Sequence, residues 1–71
     1  MEYLLVTFTE QRRVIVDGVD TGQETNHVIE IEAGHHTVTL ADPRDFTPDE
    51  YDIVLQDTSV LDPKEVRFEK Q

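Results

Sequence analysis

No cysteine occurs in the 71 residues. That absence excludes a disulfide framework and a thiolate metal centre, two staples that small domains often rely on. Basic residues are scarce: six Lys and Arg stand against sixteen Asp and Glu, a formal charge of −10. Nucleic-acid phosphates and anionic bilayers repel such a chain, so neither is an expected partner, whereas basic proteins and cations are favoured. No apolar run is long enough for a membrane-spanning helix, and no membrane insertion is expected. The opening Met-Glu-Tyr-Leu-Leu-Val-Thr-Phe lacks the basic start, long apolar stretch and small-residue cleavage site of a secretion signal, so the sequence reads as cytoplasmic or as an excised piece of something larger. Serine is present once, Ser59, in an acidic loop without a placed base. The three glycines all fall at turn positions, so no phosphate-cradling loop is available.

What the sequence does contain is alternation. Apolar residues recur at spacing two almost everywhere, and spacings of three and four are never sustained, so no helix is expected. The organising stretch is Val14 to Leu40. Val14 and Val16 share one face of an extended chain, with Arg13, Ile15 and Asp17 on the other. Asp17-Gly18 is a strong hairpin signal, because both central positions of a tight hairpin turn need positive φ. Val19 to Thr21 forms a short return strand, which Gly22 is expected to end. His27 to Glu32 and His35 to Leu40 are read as a second hairpin, turning at Ala33-Gly34. Apolar parity then sets Ile29 opposite Val38, Ile31 opposite His36 and His27 opposite Leu40 on the inner face, and Glu32 opposite His35 on the outer.

The remaining chain completes a core. Tyr3 to Thr9 is a strand with Leu4, Val6 and Phe8 inward. Residues 41–49 hold Pro43 and Pro48 and form a loop whose Phe46 is expected to plug the open edge of the core. Tyr51, Ile53 and Leu55 face inward on the next strand. A loop follows, with Val60 and Leu61 as expected anchors, and then a last strand from Lys64 to Lys70 with Val66 and Phe68 inward. One domain spanning 1–71 is expected, an all-β small antiparallel β-sandwich of six to seven short strands.

The segment Val14-Ile15-Val16-Asp17-Gly18, then Gly22, Ile29 and Ile31, Glu32-Ala33-Gly34 and His36-Thr37-Val38-Thr39-Leu40 resembles the PEGA domain, a small β-sandwich module. The resemblance runs from Arg12 to about Leu55, and the last strand is compatible with it. Two departures stand out: Glu24-Thr25 replaces the family's Thr-Pro, and the usual Gly-aromatic after the returning strand is missing, with Phe46 in its place. The matching residues are turn and core positions. The resemblance implies a non-catalytic binding or structural accessory module, with an undefined ligand and no cofactor, of a kind often found in surface or envelope proteins.

Three constellations bear on chemistry. Val19-Asp20-Thr21-Gly22 has the letters of an aspartic-protease motif, but that chemistry needs two carboxylates in an apolar cradle, and a glycine-punctuated turn is the simpler reading. His27, His35 and His36 with Glu30 and Glu32 have metal-ligand chemistry, yet the hairpin register points them apart; His35 beside Glu32 is expected to have a raised pKa. Asp42, Asp45, Asp49 and Glu50 offer oxygen ligands to a cation without any EF-hand spacing. The alternative to a binding module is therefore a small enzyme or cation-binding module using Asp20 or the acidic 42–50 loop. Finally, Leu5, Ile15, Val28 and Val54 lie on the faces opposite the core. They are either covered by loops, with Phe46, Val60 and Leu61 as lids, or form an interaction surface for a protein partner or a second copy.

Overall fold

The computed structural model describes residues 1–71. Nine strands and no helix follow in order: β1 (Glu2–Thr7), β2 (Arg13–Val16), β3 (Val19–Glu24), β4 (Val28–Ile31), β5 (Gly34–Leu40), β6 (Phe46–Thr47), β7 (Tyr51–Leu55), β8 (Lys64–Arg67) and β9 (Glu69–Lys70). They form a three-stranded sheet β4-β1-β8, a four-stranded sheet β3-β2-β5-β7 and a small β6-β9 pair. With no helix present, none is long and apolar enough to cross a membrane.

The two larger sheets enclose one core. Leu4, Val6, Ile29 and Val66 come from one sheet, and Val14, Val16, Val38, Leu40, Ile53 and Leu55 from the other. Each strand contributes alternate residues, because a pleated strand offers only one face to the interior. Phe8, Phe46 and Phe68 seal one end. Phe46 meets Phe8 and Phe68 edge to face at 6.2 and 5.5 Å, and Tyr51 meets Phe68 at 5.1 Å. Phe46 is the expected plug: β6 pairs with β9, and its ring is buried.

The Asp17-Gly18 turn also forms as its residues dictate. Val16 pairs with Val19 around two residues, both at positive φ (53° and 79°). Elsewhere the chain departs from the reading above. The strands number nine rather than six to seven, and β1 pairs with β8 in parallel, so the sandwich is antiparallel in all ladders but one. The last strand breaks at Phe68, dividing β8 from β9. Gly22 does not end β3. It takes φ 77° inside the strand, where the register against β2 slips between Arg13 and Ile15, and the chain bulges.

The largest departure is at Ala33-Gly34. The segments on either side do not pair. β4 joins β1, with Leu4 beside Ile29, while β5 lies between β2 and β7, with Val38 beside Val16 on one side and Tyr51 on the other. The turn is an arch that carries the chain from one sheet to the other, and Gly34 adopts φ 118° within it. Ile29 and Val38 do both face the core, but from opposite sheets. His27 is exposed rather than inward.

Val60 and Leu61 are not anchors; they are 58% and 97% exposed. The Ser59 and Asp62 amides each donate to the other residue's carbonyl, which holds the two aliphatics at the tip of a tight turn. Replacing Phe46 with Ala is therefore expected to cost about 3–5 kcal/mol in urea unfolding, a large part of the stability of a domain this small. Leu61→Ala should change it by no more than about 0.5 kcal/mol. Equal effects of the two substitutions would contradict this core assignment.

Candidate functional site

The polar side chains with the most ordered surroundings lie in two clusters. The first joins the β2–β3 turn to the arch. Thr37 donates its amide to Asp17 Oδ1 at 2.9 Å, and the Asp17 amide donates to the Thr37 carbonyl at 2.8 Å. Asp17 Oδ2 lies 2.6 Å from His36 Nδ1, and His36 Nε2 lies 2.7 Å from the Glu32 carbonyl. A carboxylate and a carbonyl both only accept, so both ring nitrogens are best satisfied carrying protons. The Asp17 carboxylate and the Glu32 carbonyl thus raise the His36 pKa above its ordinary 6.5, against the opposing effect of burial. Asp17 is lowered by the Thr37 amide first and then by His36.

The second cluster lies at the other end of β2. Arg12 Nη1 donates to Asp45 Oδ1 at 3.0 Å and to the carbonyls of Pro43 and Ala41 at 2.9 and 3.2 Å. Arg12 also pairs with Glu10, and its guanidinium stands over the Phe8 ring at 5.3 Å. Lys70 Nζ reaches Asp45 at 2.6 Å and Glu10 at 3.2 Å. Two cations between two carboxylates hold the Asp45 carboxyl far below the usual range, Arg12 being the main cause. This network fastens the 41–45 loop and the chain's last residues to the start of β2. Beside it, Thr25 is the one fully buried polar side chain. Its hydroxyl donates to the Glu10 carbonyl at 2.7 Å and accepts the Arg12 amide at 3.0 Å.

The residues singled out in the sequence take other places. Asp20 is exposed on the edge strand β3, where it pairs with Arg13 at 3.2 Å and accepts the Gly22 amide at 2.8 Å. The Thr21 hydroxyl donates to the Val14 carbonyl. The Asp-Thr-Gly letters therefore belong to a bulge. The three histidines do not converge, and no group of three His, Asp or Glu side chains is placed to hold a metal ion. His35 pairs with Asp52 on β7 at 2.5 Å, not with Glu32, because β7 is the neighbour that the arch provides. The acidic loop residues do not meet in one place: Asp45 turns to Arg12 and Lys70, and Asp49 lies 3.8 Å from Arg44.

The four outward aliphatics separate into two surfaces. Leu5 and Val28 are ladder partners on the outer face of the three-stranded sheet. Ile15 and Val54 lie on the outer face of the four-stranded sheet, two strands apart. Val28 and Val54 remain 41% and 55% exposed, and neither Phe46 nor the exposed Val60 and Leu61 covers them as a lid. A shallow groove of about 590 Å³ lies next to the first face, lined by Thr7, Thr9, Glu65, Arg67, Glu69 and Lys70 among others.

Two of these positions were within reach of sequence reasoning. His36 and Asp17 come into contact once β2 and β5 are adjacent with Val16 beside Val38, since each lies one or two residues beyond that pair. Thr25 carries no such signal.

The titrations have opposite signs. The raised His36 pKa contributes stability that is complete below 6.5 and is lost as pH rises through its folded value. The lowered Asp17 pKa contributes stability that is present above 3.8 and is lost as pH falls through its folded value. The pair is strongest between those two limits. His36 should titrate above 6.5 by NMR, and Asp17→Asn should move it down. Unmoved histidine titration in Asp17→Asn would contradict the pairing. Comparison with protein-family models, with curated proteins and with solved structures finds no match to this chain.

Proposed function

We propose that the chain is a non-catalytic interaction or accessory module of the PEGA kind, binding another protein rather than transforming a small molecule. The observation that supports this most is how His36 is used. An Asp-His pair is the most chemically capable grouping in the chain, yet both ring nitrogens and both Asp17 oxygens are engaged in joining a turn to an arch. No buried side-chain polar atom lacks a partner, so no interior group is left over for a substrate. The residues that carry the resemblance have structural duties here: Val14, Val16, Val38 and Leu40 in the core, Asp17-Gly18 in the turn, Gly22 in the bulge and Gly34 in the arch.

The outer faces supply the binding surface in this reading. Leu5 with Val28, and Ile15 with Val54, put aliphatic groups on a strongly acidic exterior. A partner of matching chemistry has a small apolar patch with a basic rim, which the charge of −10 would steer toward contact.

The test uses the folded chain immobilised against an extract of the source cell, beside Val28→Lys and Val54→Lys. Both positions are exposed, so either variant should melt like wild type to within about 0.5 kcal/mol. A protein retained by wild type and lost by one variant is the expected result. A panel of metabolites that raises the melting temperature, with no retained protein affected by either substitution, would overturn the reading in favour of a small-molecule site.

A further inference from the structure

One of the two edges of the three-stranded sheet has a polarity and charge pattern that none of the other edges shares. β8 is that edge, and its only ladder partner is β1. Phe68 donates its amide to the Thr7 carbonyl, and Arg67 stands beside Thr7 in the register. In a parallel ladder this phase assigns Val66 and Phe68 to β1 and turns the amides and carbonyls of Glu65 and Arg67 away from it. The same outward side carries on into β9, where the Gln71 amide donates to the Asp45 carbonyl and β6 fills the position for two residues. Past Thr47 the β6 ladder stops, and no strand pairs with β8 on that side. Tyr51 supplies one stray donor, its hydroxyl lying 2.5 Å from the Arg67 carbonyl.

The side chains on this edge are equally unengaged. Arg12, Arg13 and Arg44 are all in ion pairs; Arg67 is the one arginine that is not, and Glu65 has no cation either. Both are exposed, while Val66 between them points into the core. The other edge strands carry acids and no Lys or Arg of their own: Glu30 on β4, Asp52 on β7, whose cation His35 lies on β5, and Asp20 with Glu24 on the bulged β3, where Asp20 is already paired with Arg13 of β2. A second copy brought to any of those would meet like charge. β8 alone alternates in sign.

We infer that β8 pairs with β8 of a second copy of this chain across a twofold axis at Val66. An antiparallel pairing centred there sets Glu65 opposite the partner's Arg67 and Arg67 opposite the partner's Glu65. Those are the two residues whose backbone groups face outward, so each couple exchanges both of its N–H···O=C bonds, four bonds in all. The same couples join two charges that have no partner in the single chain. The carbonyl of Arg67 has a second lone pair for the incoming amide, beside the one Tyr51 engages. The hollow of about 270 Å³ lined by Thr47, Pro48, Tyr51, Arg67 and Glu69 lies where β6 leaves the edge, and it receives the partner's Lys64 next to Glu69. The product is a continuous six-stranded sheet, β4-β1-β8 joined to its copy. A four-residue edge is a small interface, so the dimer is weak, forming at protein concentrations on the order of 0.1–1 mM.

Charge exchange tests this directly. Sedimentation of wild type at those concentrations and near-physiological salt should show a monomer–dimer equilibrium. Glu65→Arg alone sets arginine against arginine, and Arg67→Glu alone sets glutamate against glutamate, so each should be monomeric. Mixed in equal amounts, the two variants form only opposite-charge couples and should dimerise again, as should the single chain carrying both changes. Melting curves establish that each variant is folded, and the doubly exchanged chain serves if either single variant is not. A monomeric wild type at about 1 mM would overturn the inference. So would dimers of undiminished strength from both single variants, which would place the contact on another surface.

Discussion

Everything in this fold follows from the contact between the inner faces of two small sheets. Seventy-one residues can build one core, and it consists of thirteen buried apolar side chains. Each strand can give alternate residues to it and no more. With so few residues per strand, the chain has to cross between sheets repeatedly rather than stay in one. The arch at Glu32 to Gly34 is the decisive crossing. It hands Ile29 to β1's sheet and Val38 to the sheet of β2 and β7, and these residues face each other across the interior instead of lying side by side.

The polar residues serve the crossings. Asp17 and His36 tie the Asp17-Gly18 turn to the carbonyl at the start of the arch. Thr25 holds the backbone where the chain passes from β3 toward β4, opposite residues 10–12. Arg12, Asp45, Glu10 and Lys70 fasten the proline-bearing loop and the chain's end over the aromatic plug. A domain without disulfides relies on packing and such ties to fix its loops, and here both occur at the same places. The −10 charge is thereby partly organised: Arg12, Arg13, Arg44 and Lys70 are each drawn to a carboxylate, and Lys64 and Arg67 on the open β8 edge stand apart from that pattern.

Facing was legible in the sequence; neighbourhood was not. Leu4, Val6, Val14, Val16, Ile53, Leu55, Val66 and Phe68 all point inward as spacing two implies, because the parity of a strand is a local property. The Asp17-Gly18 turn was legible for the same reason, since its two residues alone determine its φ angles. Ala33-Gly34 was misread as a hairpin because a hairpin and an arch impose the same parity on the strands that flank them. From that one error came the wrong partner for His35, which meets Asp52 rather than Glu32, and the inward placement of the exposed His27. Val60 and Leu61 show the limit of reading apolar residues as buried: a tight turn between Ser59 and Asp62 leaves them in water. Thr25 was invisible because its partners are backbone groups thirteen and fifteen residues away.

The arch can be examined in solution without altering a residue. Through-space proton contacts and hydrogen-bond couplings in the NMR spectrum of the wild-type chain report which strands lie side by side. The expected pattern sets Ile29 beside Leu4, and Val38 between Val16 and Tyr51. A ladder running directly from Ile29 to Val38 would contradict the two-sheet account and everything built upon it.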